Sequence, residues 1–198
     1  MSYSDLPHAD LFRRFMVKDR INMMPQAYEP RVGDFILPPE VQHTFTSAVQ
    51  PADQIVTSLF LLQRRMRFDQ IAIRVDAAGA GGALCRLGLY NVDEDYYPST
   101  LILDAGTIDG TVVANNVIII DETLDRGWYA LAILTNDATI QFRYRTTSIS
   151  PLGGISATSV VNAGWLVASA FAALPDPHPA GGNIQGRRYG GLRLAELL

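Results

Sequence analysis

The residues best equipped for chemistry lie together at 91–97, reading Asn-Val-Asp-Glu-Asp-Tyr-Tyr. Three carboxylates in one loop, Asp93, Glu94 and Asp95, could hold a calcium ion through oxygen. Tyr96 and Tyr97, next to them and to Asn91, could stack on a sugar ring while the polar groups bond its hydroxyls. Each chemistry has a plainer competitor. The EF-hand spacing and its glycine are absent, so a solvated turn is the default for the carboxylates. The tyrosines could equally cover one end of a domain or meet a sister subunit. A glycosidase pair needs carboxylates on two sides of a cleft, and these sit in one loop.

Elsewhere the chain offers little to a catalyst. The three histidines, His8, His43 and His178, are far apart in sequence and none pairs at metal-ligand spacing. The single cysteine, Cys85, rules out an internal disulfide framework and a Cys-rich zinc site. Residues 78–83, AGAGGA, lack the Lys-Ser/Thr and the helical pattern of a phosphate loop, and read as a hairpin turn. No HExxH or GxSxG motif occurs. The expectation is a protein that is not an enzyme, with no catalytic residue, metal or cofactor.

Composition narrows the class further. Of 198 residues, 48% are apolar and 18% charged, enough for a substantial core and too little charge for a disordered chain. Sixteen Lys and Arg against 20 Asp and Glu leave a net charge of −4, with no basic excess to neutralise nucleic acid. No apolar run is long enough for a membrane-spanning helix, and the first residues lack the apolar stretch of a signal peptide.

The elements that would position the 91–97 loop are strands. Ile71, Ile73 and Val75 alternate with polar or small residues, as do Cys85, Leu87 and Leu89, and Ile140, Phe142 and Tyr144. Shorter or fully apolar runs occur at 43–49, 55–62, 101–103, 117–120, 128–134, 165–174 and 189–194, separated by turns at 79–82, 109–110, 126–127, 136–137, 153–154 and 181–182. Many short strands without intervening helices predict an all-β, antiparallel, jelly-roll-like β-sandwich over residues 41–198. Ile71, Ile73, Val75, Leu87, Leu89, Leu131, Ile133, Ile140 and Phe142 are its expected core. The runs at 55–62 and 117–120 are apolar on both strand faces, and one sandwich covers only one face. A homo-oligomer is the expected cover, with the Ala-rich stretch 165–173 as a further contact.

Residues 1–40 form a different region, a short helical and extended arm. Leu11, Phe12, Phe15 and Met16 mark one face of a helix of about three turns, too short to be stable alone. Met23 and Met24 follow, then a connector punctuated by Pro25, Pro30, Pro38 and Pro39. These apolar residues are the candidate docking set for a partner protein, with packing on the chain's own body as the competing reading.

The order of several segments resembles a domain of bacteriophage virion proteins of the minor-structural, tail-fibre and head-fibre kind. The residues that carry the likeness are FDQIAIRV at 68–75, RLGLYN at 86–91, YPSTLILDAGTIDG at 97–110, VIIIDETLDRGWYALAIL at 117–134 and FAALPDPHP at 171–179. The likeness spans about residues 41–194 and departs at two turns. PST at 98–100 stands where a glycine-containing turn is usual, and Arg126 stands where a proline commonly precedes the glycine. The resemblance implies a non-catalytic β-sandwich of the virion, assembled in the host cytoplasm as a symmetric oligomer, a trimer by analogy. The arm lies outside the likeness; taken with it, the expected role is a tail or baseplate-associated fibre, attached to other virion proteins through the arm and presenting the sandwich to the host surface. Alternatives are a capsid decoration, cement or head-fibre protein, and a carbohydrate-binding module that takes a host glycan at the 91–97 loop without catalysis.

Overall fold

The computed structural model describes residues 30–36, 45–145, 164–184 and 190–198. The docking set of the arm, Leu11, Phe12, Phe15, Met16, Met23 and Met24, lies outside them. Among the described residues there is no helix. The strands are β1 (Phe35–Ile36), β2 (Phe45–Val49), β3 (Gln54–Leu62), β4 (Met66–Ala77), β5 (Leu84–Val92), β6 (Pro98–Asp109), β7 (Asn115–Leu124), β8 (Gly127–Thr135), β9 (Gln141–Arg145), β10 (Trp165–Ala168), β11 (Asn183–Ile184) and β12 (Gly190–Leu197).

Their pairing is nested. β2 pairs with β9, β3 with β8, β4 with β7 and β5 with β6, all antiparallel. A long double ribbon rolled up in this way puts β2-β9-β4-β7 in one sheet and β3-β8-β5-β6 in the other, which is the jelly-roll order. Two additions widen it. β10 and β11 extend the second sheet beyond β3. β12 takes the stretch of β4 that β9 leaves open, and β1 pairs outside β12. Val32–Leu198 form a unit of their own, so sheet pairing reaches back to Phe35.

The core follows the two-residue period of the strands. Ile71, Ile73, Val75, Leu87, Leu89, Leu131, Ile133, Ile140 and Phe142 are all buried, none more than 1% exposed. With Phe68, Cys85 and Leu194 they fill the space between the sheets, each large side chain contributing about 1.5–3 kcal/mol by leaving water. Burial pushes the Cys85 thiol far above its usual range, so it stays a small apolar filler. On the outer face of the first sheet, Asp76 ties three strands together. It accepts hydrogen bonds from Ser47 on β2, Arg74 on β4 and Arg143 on β9 at 2.9–3.1 Å. Burial alone would raise its pKa, but these bonds outweigh burial and hold it below the ordinary carboxylate value.

Two segments depart from the sequence expectation. The apolar run 101–103 is part of a strand that continues to Asp109, because Gly106 at φ +95° absorbs a bulge that would otherwise end the pairing. The run 165–174 is a strand only to Ala168. Beyond that, residues 169–182 leave the sheet and cross its outer face as a strap.

Candidate binding surface

The strap supplies much of the cover that the sequence reading assigned to a partner. β3 is buried on both faces. Phe60 and Leu62 point into the sandwich, whereas Ile55 and Leu59 point outward into a second apolar layer with Tyr90, Ala130, Ala132, Leu134 and the strap's Leu174. Small residues make room for it. A Cβ on Gly88 would stand 2.2 Å from the Leu174 side chain and 2.5 Å from the Leu103 carbonyl oxygen. The second face of β3 is therefore no argument for an oligomer.

The strap is tied down along its length. At its start, Asp53 accepts from Ser169 N at 2.9 Å through its carbonyl and from Phe171 N at 2.8 Å through its carboxylate. Asp104 on β6, ion-paired with Arg86 at 2.6 Å, accepts from Leu174 N. The Tyr90 hydroxyl donates to the Pro175 carbonyl at 2.8 Å. Leu101 N donates to the Asp176 carboxylate, and His178 N donates to the Ser99 carbonyl. His178 itself is 5% exposed, with its ring edge-on to Tyr90 and Tyr97 at centroid distances of 5.0 and 5.5 Å. Its Nδ1–H donates to the Pro179 carbonyl and its buried Nε2 has no partner among the described residues. Burial pushes its pKa down to about 4, so the ring is neutral near pH 7.

The 91–97 loop joins β5 to β6 at the far end of this strap, and its residues divide into two groups. Asp93 is occupied by the turn, since Oδ1 accepts from the backbone N–H of Asp95 at 3.0 Å and of Tyr97 at 2.8 Å, the Asx geometry that shapes such turns. Asn91 donates to Thr100 Oγ1 across the hairpin. The Tyr97 hydroxyl donates to the Pro179 carbonyl at 2.9 Å and also lies against the Gly181 carbonyl, while its ring meets Trp165 edge-on at 5.3 Å. Burial, with Asp93 adding to it, raises the Tyr97 pKa and keeps the hydroxyl a donor. Asn91, Asp93 and Tyr97 thus build the turn and fasten the strap.

The other group faces water. Glu94 and Asp95 are exposed, and Tyr96, at φ +61°, is held in the left-handed region with 42% of its surface open. Its ring stands perpendicular to Trp128 of β8 at 5.7 Å. Two exposed carboxylates beside an aromatic pair could stack on and bond a sugar. Among the described residues no group of three His, Cys, Asp or Glu side chains is gathered as a metal ion would require. An open groove of about 510 Å³ runs between β10 and the end of the strap, lined by Gln54, Leu166, Val167, Ala168, Pro179, Ala180 and Gly182. Among the described residues that line it there is no titratable side chain.

Sequence reasoning missed the strap and its ties. Tyr97 and His178 are more than 80 residues apart, and neither type nor local spacing announces their contact. His178 gave one usable signal, a histidine flanked by prolines in an apolar segment. No family model and no curated protein matches the chain.

Proposed function

We propose that the chain is a structural protein of a bacteriophage virion, a tail or baseplate-associated fibre component that attaches through residues 1–40 and presents its β-sandwich to the host surface. The observation that carries this reading is the nested strand order of β2 to β9, an architecture used for display in viral coats and lectins. Fold alone is analogy. Beside it stands the resemblance itself, carried by five segments of the sequence. The five segments that resemble the virion family fall on β4, on β5, on β6 with the turn after it, on β7 with β8, and on the strap. The polar groups of the 91–97 loop and strap serve to fix loops on a rigid frame, which suits display better than turnover.

In this reading the copies form a homo-oligomer, a trimer by family analogy, and other virion proteins receive the arm. Tyr96 and Trp128 with Glu94 and Asp95 would contact a host-surface glycan. The same aromatic pair favours a second reading, a carbohydrate-binding module without catalysis. Full-length protein and a variant lacking residues 1–30 separate the two. Particles assembled with the truncated chain should lack it, while its β-sandwich still melts cooperatively. Normal incorporation without residues 1–30 would contradict attachment through the arm.

A further inference from the structure

The strap is thinly anchored, and one of its anchors is ionisable. Of residues 169–182 only Leu174 and His178 are buried. Leu174 packs into the outer apolar layer with Ile55, Leu59 and Leu134. His178 stands between the two tyrosines whose hydroxyls hold the strap on either side of it, Tyr90 at the Pro175 carbonyl and Tyr97 at the Pro179 carbonyl. Its Nε2 is buried and has no partner among the described residues. A second proton on the ring therefore puts a charge and an N–H donor where nothing accepts them, beside both ties. The core between the sheets contains no residue of the strap, so the strap can leave without emptying it.

We propose that residues 169–182 form an acid-released latch: protonation of His178 lifts the strap off the outer face of its sheet while the two sheets stay folded. The groups around the ring set the direction of the response. Tyr90 comes from β5, Tyr97 from the 91–97 loop with Asp93 beside it, Asp104 from β6 in its ion pair with Arg86, and Asp176 from the strap itself. Burial raises the pKa of both phenols, so they stay neutral donors. No carboxylate among the described residues offsets the burial of the ring. Burial lowers its pKa to about 4, against 6.5 for a free histidine, and only the bond to the Pro179 carbonyl pulls the other way. Above pH 6.5 the ring is neutral whether the strap is closed or open. Between 6.5 and 4 only the open form takes the proton, so the closed-to-open ratio falls by up to about 300-fold. Below 4 both forms are protonated and the ratio levels off. Opening uncovers the layer of Ile55, Leu59, Tyr90 and Leu134. It also frees Tyr97, which is fastened to the strap next to the exposed Tyr96. The device rests on the strap's own geometry and does not depend on the virion role or on a bound glycan.

Hydrogen exchange of the full-length protein, read by mass spectrometry and corrected for the intrinsic rate at each pH, separates local from global opening. Between pH 7 and 4.5, exchange of the strap amides, those of Leu174 and His178 among them, should rise tens-fold relative to the β4 amides of Ile71 and Ile73. His178→Phe, checked by a thermal melt at pH 7, should flatten that rise. Asp176→Asn keeps an acceptor for the Leu101 N–H and should preserve it. No rise in the strap of the parent protein, or an equal rise in β4, overturns the proposal. So does a rise that persists in His178→Phe or disappears in Asp176→Asn.

Discussion

Acidification should loosen the protein through His178, and the size of the effect follows from its surroundings. The neutral ring is enclosed by Tyr90 and Tyr97, with Nε2 facing no acceptor among the described residues. A proton there would place a charge and a second N–H where nothing receives them. The folded-state pKa is about 4 against 6.5 for a free histidine. Above pH 6.5 the ring is neutral in both the folded and the unfolded state, and pH has no leverage. Between 6.5 and 4 only the unfolded chain takes up the proton, so stability falls as the pH falls. Below 4 both states are protonated and the loss levels off. At about 1.4 kcal/mol per pH unit, the full window costs up to about 3 kcal/mol. Phenylalanine at this position keeps a ring between the two tyrosines and cannot titrate. His178→Phe gives up the bond to the Pro179 carbonyl, about 0.5–1.5 kcal/mol at pH 7, yet should become the more stable protein near pH 4. Asp69 and Asp76 are held below the ordinary carboxylate value by their arginines, so their titration lies mostly beneath this window and is common to both proteins. Urea midpoints at pH 7, 6, 5 and 4, followed by tryptophan fluorescence, measure the difference. Parallel stability curves for the two proteins would refute the assignment.

The other predictions concern the core, the strap and the loop. Leu131→Ala empties a site between the sheets that is 1% exposed and should cost about 2–5 kcal/mol in a denaturant melt; an unchanged midpoint would contradict the placement. Tyr97→Phe removes the donor to Pro179, costs about 0.5–1.5 kcal/mol, and should speed hydrogen exchange at His178 N while leaving β4 amides unchanged. Asp93→Ala unties the turn bonds to Asp95 and Tyr97 and should cost about 1–3 kcal/mol equally in calcium and in chelator. A melt of the parent protein that rises with calcium would return the carboxylates to metal binding.

The sandwich was legible where one face of a strand is wet. Ile71, Ile73 and Val75 on β4 alternate with Gln70, Arg74 and Asp76, and burial follows that alternation; on β5 Leu87 and Leu89 are buried as expected, but Gly88 and Tyr90 are buried too, under the strap. The apolar run 101–103 marks only part of β6, whose pairing continues past the bulge at Gly106 to Asp109. β3 and β7 show the limit of pattern. Both read as apolar on two faces. The outer face of β3 lies under the protein's own strap, whereas Val117 and Ile119 of β7 stay in water. Which of these happens depends on where residues 169–182 travel, a long-range fact that no local period encodes. The 91–97 loop was found as a cluster, but its division of labour was not. Asp93 could have been recognised as a turn-former by type. Tyr97 acts through carbonyls at Pro179 and Gly181, on a segment whose prolines and glycines mark a loop without saying what it touches.

The central claim is that this chain is built into a phage particle. Antibody raised against the isolated protein, applied with gold to particles purified from cells that produce the chain, tests it most directly. Label concentrated at the tail or baseplate, with the chain present in the same particles by mass spectrometry at a fixed ratio to the major coat protein, is the predicted result. Purified particles that contain no trace of the chain, while it remains in the lysate, would contradict the account.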